Sequence, residues 1–489
     1  MITRIAAGII GLLSVVCASA TDDINLMPVL MQSHEDQTCI KSASLGFKFN
    51  KKPKSINSTN TTFADCVLSE AGTLATILGD KIYNIDSIAV TGPINNDDFN
   101  TLWDSSFNGH LKIINLENAT IENGIIPDEA LFHKDEQVNW KTMVITTIWL
   151  EKLLLPDGVT EIGNFAVAYA IALHEIKFPN TLQSIGKAAF TDCISLTPEQ
   201  LLFPESLKVI GEQAFYECRG LTGKITLPES LHAIICGAFY HCRISEINIP
   251  NSLEYLGCMA FAGSTFKNIC LPDNCLLCSL GGQFYNNWEL TEAHLPDKLW
   301  FVPDDIFSGC ISLQHVNIPS GTITIGEFAF DSTSITEINF PETLESIGQN
   351  AFQGCDKLNT VVLPSSVKNL GERAFALCSL KSIYSMATVP PEYVPASEYE
   401  SSRTPFTYID NSIPVYIPIG TKQQYMSAPG WEYMTNFIET EDFPYGGINN
   451  IYFECGERDN TVYDLCGRKI TTPMSGHIYI SKGKKFILK

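Results

Sequence analysis

The chain has 489 residues, of which 45% are hydrophobic, 10% aromatic and 18% charged. This length suffices for three average domains or for one long array of repeats, and the hydrophobic content argues against extensive disorder. Acidic residues outnumber basic residues 54 to 32, so the formal net charge is -22. The acidic excess is spread along the chain, and no basic stripe is available to neutralise phosphates. We therefore expect no nucleic-acid partner.

Residues 1–20 are typical of an export signal. A basic residue near the start is followed by an apolar stretch over residues 5–16 and by a small-residue cleavage pattern at residues 18–20. The apolar stretch is too short to cross a bilayer, because a transmembrane helix needs about 20 residues. We therefore expect cleavage before Thr21 and export without a transmembrane segment. Lipidation of Cys17 is the alternative, and the bulky valines before it disfavour a lipidation motif.

One sequence unit recurs throughout residues 151–382, as in INFPETLESIGQNAFQGC and VVLPSSVKNLGERAFALC. Each unit has one proline, spaced 22 to 25 residues from the next, and one phenylalanine that usually follows it by eleven positions. The prolines are Pro156, Pro179, Pro204, Pro228, Pro250, Pro272, Pro296, Pro319, Pro341 and Pro364. The phenylalanines are Phe165, Phe190, Phe215, Phe239, Phe261, Phe284, Phe307, Phe330, Phe352 and Phe375.

Within each unit, alternating apolar residues before the proline predict a strand with one buried side, which the proline ends. A second short apolar stretch leads to a glycine such as Gly348, where we expect a turn with a backbone conformation that other residues do not readily adopt. Ala351 and Phe352 then fill the interior. One unit cannot bury its apolar side alone, so the units are expected to stack as a mainly β solenoid with parallel, in-register strands. Cys236 and Pro303 replace the turn glycine in two units.

The candidate binding surface is the exposed side of these strands. The residue four positions before each proline should face solvent, and no two acidic residues are neighbours in that column, as a ladder of strands about 4.8 Å apart requires. Three asparagines share the column two positions before the proline, where their amides could bond a ligand or one another. The candidate residues are Glu246, Asn248, Glu292, His294, His315, Asn317, Glu337 and Asn339.

The unit pattern IxxxLPxSLxxIGxxAFxxCxxL resembles the leucine-rich repeats of BspA-like bacterial surface proteins, and the resemblance covers about half of the chain. It implies a right-handed leucine-rich-repeat solenoid exported to the surface of a cell of Bacteroidetes type. Known members adhere to host matrix or plasma proteins or to other bacteria. The expected partner is an extracellular protein or glycoprotein, with a glycan-binding accessory role in nutrient capture as the alternative. We expect a secreted or surface-located monomer.

The two ends of the array differ from its centre. Residues 81–150 resemble divergent repeats that would cap the N-terminal end, whereas residues 21–80 are too weakly periodic to assign. Residues 383–445 resemble a closing unit, in which Trp431 is available to cover the last coil. Residues 446–489 predict a small β-rich module similar to the C-terminal tails of secreted Bacteroidetes proteins. A sorting or surface-attachment signal and a purely structural module both remain open for it.

Six cysteines lie three residues after a repeat phenylalanine, and we expect them to form a column of small, buried, free thiols. Disulfides between consecutive units are the alternative, and they would require suitable Cβ directions. The six residues are Cys193, Cys218, Cys242, Cys310, Cys355 and Cys378.

Two further groups of cysteines suggest other chemistry. Cys270, Cys275 and Cys278 have a C-x4-C-x2-C spacing, for which Cys258 or His294 could supply a fourth zinc ligand. This spacing is unremarkable in a cysteine-rich chain, so we predict no metal and no cofactor. In the terminal module, Cys455 and Cys466 either pair across a hairpin or stay unpaired.

The sequence contains no H-E-x-x-H, G-x-S-x-G, G-x-x-x-x-G-K-[ST] or G-x-G-x-x-G motif, and its nine histidines are scattered. Strand histidines such as His174 are more typical of solvated side chains than of general bases. We therefore predict no catalytic residues and a binding protein instead of an enzyme.

Overall fold

A computed structural model describes most of the chain. The predicted export signal with Cys17, and both Cys455 and Cys466, lie outside the described residues. The described residues are 48–49, 62–139, 144–396 and 403–444, with the backbone of 462–464, 469–470, 478–481 and 484–487.

The chain divides into two compact units, which are Met1–Lys51 with Asp135–Thr146 and Lys52–Lys134 with Thr147–Lys489. The described residues of the smaller unit include three short strands. Lys48–Phe49 pairs in parallel with Val144–Ile145, which pairs antiparallel with Val138–Asn139.

The larger unit is a solenoid of about 16 turns, which confirms the predicted fold class. In most coils a first strand, here called the front strand, precedes the repeat proline or its equivalent. Every front strand pairs in parallel with that of a neighbouring coil. The front strands are Phe63–Val67, Ser87–Ile94, Ile113–Ile121, Lys152–Leu154, Glu175–Lys177, Lys224–Thr226, Glu246–Asn248, Asn268–Cys270, Glu292–His294, His315–Val316, Thr360–Leu363, Ser382–Ser385, Val415–Pro418 and Phe437–Thr440.

In most coils a second strand, here called the rear strand, lies just before the glycine position or its equivalent. Rear strands also pair in parallel and in register, in a sheet of seven strands and a sheet of five. They are Ile125–Ile126, Glu161–Ile162, Ser184–Ile185, Val209–Ile210, Ala233–Ile234, Tyr255–Leu256, Leu276–Leu277, Phe301–Val302, Thr324–Ile325, Ser346–Ile347, Asn369–Gly371 and Glu392–Val394.

The predicted register of the front strands is confirmed where strands form, because Lys152 is paired with Glu175 and Lys224 with Glu246. Two predicted front strands are missing from the described residues. Near Gln200 the chain instead forms the 3-10 helix Pro198–Gln200, since Pro198 has no N–H to give to a ladder. Around Glu337 the chain is extended without strand pairing. The front series is therefore interrupted at these two coils, and again between Glu246–Asn248 and Asn268–Cys270, which belong to different sheets.

The repeat phenylalanines form one continuous stack along the interior. From Phe190 to Phe375 they are fully buried, and successive ring centroids lie 5.1 to 6.2 Å apart. Phe406 extends the stack beyond Phe375 at 6.0 Å. This geometry combines large apolar burial with favourable aromatic contact in the coils that carry these rings.

Phe165 does not belong to this stack, so the prediction for the first unit is wrong. Val167 holds the equivalent position, because its N–H donates to Ala189 O as that of Phe190 donates to Ala214 O. Phe165 lies two positions earlier and is only half-buried. The first unit has a valine where later units have phenylalanine.

The expected role of the turn glycine is also wrong. Gly348 is absent from the residues with positive φ, so its backbone does not require glycine. A Cβ there would instead lie 2.7 Å from the carbonyl carbon of Gly326 in the preceding coil. Glycine is needed because adjacent coils touch backbone to backbone. Ile235, and not Cys236, holds this position in its coil, since Ile235 N donates to Ile210 O as Gly348 N does to Ile325 O.

The predicted column of buried free thiols is confirmed. All six cysteines are buried and free. Each thiol donates to a backbone carbonyl of the preceding coil, as Cys355 does to Phe330 O at 3.2 Å and Cys378 to Phe352 O at 3.1 Å. Burial raises the pKa of Cys310 to about 12, so this thiol remains protonated at neutral pH. Cys270, by contrast, is disulfide-bonded.

The described helices are short, and the longest, Asn96–Phe107, has 12 residues. It begins with a capping box in which Asn95 and Asp98 exchange side-chain and backbone hydrogen bonds. None of the helices in the described segments combines the length and apolar character that a membrane span requires. The other α-helices are Leu74–Leu78, Lys134–Gln137 and Lys422–Ser427, and the other 3-10 helices are Gly79–Lys81 and Glu122–Gly124.

Near the end of the array Trp431 is buried, and its Nε1 donates to Pro391 O at 2.9 Å. Among the residues described beyond position 444, four short strands pair antiparallel. They are Val462–Asp464, Lys469–Ile470, Ile478–Ser481 and Lys484–Ile487.

Replacing Phe352 by alanine should lower the free energy of unfolding by about 3–5 kcal/mol, because it removes a ring from the middle of the stack and leaves a cavity. Phe165→Ala is the control, since that half-buried ring lies outside the stack and should cost clearly less. Urea denaturation followed by circular dichroism measures both. Equal losses in the two variants would contradict the assignment of the stack.

Gly348→Ala should destabilise the protein by about 1–3 kcal/mol, because the new methyl group would push adjacent coils apart. Gly321→Ala is the matched control, as a Cβ at Gly321 meets nothing within 4 Å. Differential scanning calorimetry compares the two melting temperatures. A Gly348 variant as stable as the Gly321 variant would show that the coils tolerate a wider spacing.

Candidate functional site

The outward face of the front strands carries most of the residues predicted to bind a partner. Glu246 and Asn248 lie on one strand, Glu292 and His294 on a second, and His315 begins a third. Asn317 follows directly after that third strand. Glu337 and Asn339 are exposed but lie in the coil that forms no front strand.

The structure brings four of these residues together. Glu292 is paired with His315 across neighbouring strands, and His294 and Asn317 continue the same two strands by two residues. Glu292, His294, His315 and Asn317 therefore form one patch, here called the central patch. Glu246 and Asn248 belong to a separate two-stranded pair with the strand Lys224–Thr226.

The asparagines of this face are engaged with the scaffold. Asn248 accepts from Leu227 N at 2.8 Å and donates to Leu227 O at 2.9 Å. Asn317 likewise accepts from Leu295 N at 2.7 Å and donates to Leu295 O at 3.3 Å. A primary amide has both a donor and an acceptor, so it replaces the missing strand partner where the ladder ends. These two amides bond the preceding coil and not each other.

His294 lies beside the carboxylates of Asp273 and Asp297, each of which directly follows a repeat proline. Its side chain is 15% exposed, and Nε2 is 3.9 Å from Asp297 Oδ1. An imidazole nitrogen of His294 and carboxylate oxygens of Asp297 and Asp273 all lie within 4.8 Å of one another. Burial lowers the pKa of His294, and the two aspartates only partly oppose this effect. The imidazole is therefore mainly neutral at pH 7. His294 is not among the cysteines with which the sequence grouped it as a zinc ligand.

Opposite charges alternate across the coils of the outward face. Lys152 Nζ is 2.6 Å from Glu175 Oε1, and Lys224 Nζ is 2.5 Å from Glu246 Oε1. Such exposed pairs contribute little to stability. Their main effect is to neutralise acidic side chains locally, whereas the central patch has Glu292 beside His315.

Two tyrosines extend this face and were missed by the sequence reasoning. Tyr384 and Tyr416 lie on neighbouring front strands, and their rings stack with centroids 4.4 Å apart and planes 10° apart. The motif VYIP, with its proline at position 418, resembles the strand end of the regular units and could have revealed this alignment. The column two positions before the proline thus continues past the regular repeats.

Asn317→Ala should lower the free energy of unfolding by about 1–3 kcal/mol, because the amide and carbonyl of Leu295 lose their side-chain partner. Asn339→Ala removes an exposed amide from the same column and should change stability by less than about 0.5 kcal/mol. Chemical denaturation measures both. If the two variants are equally stable, the amide bonds of Asn317 are dispensable.

Comparison with known proteins places the repeats in a recognised type. Six copies of the BspA type leucine rich repeat region match residues 146–267 and 279–391. A search of the curated proteins found no match.

Several solved structures are similar to this chain. A leucine-rich repeat protein from Bacteroides ovatus is 22% identical, covers 73% of this chain and 84% of its own, and has a TM-score of 0.49. A leucine rich cell surface protein from Faecalibacterium prausnitzii is 20% identical, with coverages of 65% and 83% and a TM-score of 0.38. The pneumococcal vaccine antigen PcpA is 17% identical, with coverages of 73% and 80% and a TM-score of 0.33.

Proposed function

Because the repeats of this chain belong to the BspA type of leucine-rich repeats, we propose that it is an exported cell-surface protein that binds an extracellular protein or glycoprotein. Binding takes place on the outward face of the front strands, and its role is adhesion to a host component or to another cell. The protein acts as a binding scaffold without catalysis.

The observation that supports this proposal is the in-register outward face. Consecutive front strands place equivalent side chains side by side, as in the pairs Asn268 with Glu292 and Glu292 with His315. A repeated parallel array of this kind presents an extended surface that suits a large partner. The strand backbones are already hydrogen-bonded to their neighbours, so recognition falls to the side chains.

The central patch is the part of this face that we propose as the main contact. Glu292 and His315 offer a carboxylate and an imidazole on adjacent strands, half-buried and therefore held by their surroundings. Asn317 is fixed by its two bonds to Leu295. Side chains that are already ordered lose little conformational freedom on binding. Glu246, Glu337 and Asn339 would extend the contact to either side.

Export follows from the predicted signal at residues 1–20, and surface location from the repeat type. The C-terminal module at residues 446–489 is proposed as an attachment or sorting element. We propose a monomer, since the solenoid covers its own core. The partner would be recognised by complementary polar and charged groups, because the central patch contains no large apolar side chain.

The double variant Glu292→Lys with His315→Glu should weaken partner binding by about tenfold or more, because it reverses or introduces charge at the centre of the patch. Residues 21–489 would be applied to an array of matrix proteins, plasma proteins and polysaccharides, and the affinity for any ligand found measured by surface plasmon resonance. Glu254→Lys is the matched control, since Glu254 is exposed next to a rear strand.

A protein ligand lost in the double variant and kept in the control supports the proposal. Equal binding by all three proteins would move the site away from the front face. Binding to polysaccharides alone would favour a glycan-capture role and would contradict the proposed partner class.

A further inference from the structure

Three cysteines from consecutive coils meet at one point on the rear side of the array. The Sγ atoms of Cys236, Cys258 and Cys278 all lie within 4.8 Å of one another. Each cysteine follows a different rear strand. These strands are Ala233–Ile234, Tyr255–Leu256 and Leu276–Leu277. The three thiols are separated by about 20 residues in sequence and are brought together only by the register of the solenoid.

This cluster differs from the column of repeat thiols. Cys310 and its equivalents each donate to a backbone carbonyl of the preceding coil. In the rear cluster the sulfur atoms face one another. The backbone N–H of Cys258 also donates to the Cys236 sulfur at 3.2 Å. The cluster therefore has the arrangement of a ligand set, in which several sulfur atoms converge on one point.

The repeat departs from its pattern at this cluster. Ile235 occupies the glycine position of one coil, and Cys278 follows its rear strand where Gly257 follows the strand before it. Seven positions separate Leu277 from Phe284, whereas five separate Leu256 from Phe261. The two extra residues form a turn with Gly281 and Gly282 in the left-handed region. The local insertion thus accompanies the placement of Cys278 beside the other two thiols.

The protein largely encloses the three thiols. Cys258 and Cys278 are buried, and Cys236 is half-buried. The hydroxyl of Tyr255 lies within hydrogen-bonding reach of the Cys278 sulfur.

We propose that Cys236, Cys258 and Cys278 form a three-thiolate site for a thiophilic d10 metal ion, either Zn²⁺ or Cu⁺. Thiolates select these ions over hard cations such as Mg²⁺ and Ca²⁺. The spacing of the sulfur atoms is compatible with a single ion at the centre after small side-chain movements, since Zn–S bonds are about 2.3 Å long.

The two ions would complete the site differently. Zn²⁺ prefers four ligands, and the hydroxyl of Tyr255 beside Cys278, or a water molecule, would supply the fourth. Cu⁺ is satisfied by soft thiolate ligands, and three are present. In both cases binding displaces the thiol protons, so affinity rises with pH.

The cysteine spacing that the sequence offered as an alternative zinc set does not coincide with this cluster. Cys258 and Cys278 belong to the cluster, but Cys275 lies outside it and Cys270 is disulfide-bonded. Cys236 was not included because its partners are one and two coils away. A metal ion here would link three consecutive coils where the rear side departs from the repeat, and would stabilise that segment whenever it is bound.

The test is metal binding by the full chain, prepared with reduced thiols under anaerobic conditions. Co²⁺ serves as a spectroscopic probe for the zinc arm, and Zn²⁺ displacement and Cu⁺ titration against a competing chelator distinguish the two ions. Cys258→Ser and Cys236→Ser are the test variants, the second at the more exposed position so that folding is retained. Cys275→Ser is the matched control, because Cys275 is a buried free thiol of the same region.

One ion per chain with a thiolate charge-transfer band is expected in the parent and in Cys275→Ser. Both cluster variants should lose at least tenfold in affinity, together with the metal-dependent rise in melting temperature. Unchanged binding in Cys258→Ser and Cys236→Ser would overturn the proposal. So would the absence of binding by the reduced parent, or a disulfide between any two of the three cysteines in the protein as isolated.

Discussion

The stack of phenylalanine rings is the constraint on which the rest of the solenoid depends. Rings from Phe190 to Phe406 follow one another at 5.1 to 6.2 Å, so every coil must advance by about one ring spacing. That advance is close to the distance between paired strands. The stack and the two strand series therefore impose the same spacing. This short spacing also explains why a Cβ at Gly348 would meet the backbone of the preceding coil. It likewise explains why small thiols such as Cys355 fit beside the rings.

The fold was predictable because the period is a property of the sequence alone. Prolines, phenylalanines and cysteines at fixed offsets predict a stacked parallel array whatever the details of each coil. The errors arose where one residue type was used as a marker of position. Phe165 is a phenylalanine near the expected place, yet Val167 fills the buried position. Gly348 was expected to serve a turn, whereas its role is close contact between coils. Only the hydrogen-bond register distinguishes these cases.

The sequence predicts which side chains lie on the outward face, but not which of their polar groups are already hydrogen-bonded to the scaffold. Alternation along the strand shows that Asn317 points outward, and the structure agrees in leaving it half-buried. The hydrogen bonds between the Asn317 amide and Leu295 could not be inferred from the sequence. They join residues 22 positions apart and depend on where the ladder of strands ends. The stacked pair Tyr384 and Tyr416 was missed for the opposite reason. It lies in coils whose sequences have lost the unit pattern while their strands keep the register.

The rear thiol cluster shows how a solenoid brings together residues that no local motif connects. A conventional metal motif places its ligands a few residues apart, and that rule directed attention to Cys270, Cys275 and Cys278. In a parallel array, neighbours in space are one period apart in sequence, so the relevant spacing here is from Cys236 to Cys258 and on to Cys278. The same rule joins Glu292 to His315 on the front face. Sites in this molecule are therefore found by comparing equivalent positions of successive coils, and a departure shared by neighbouring coils is the feature to examine.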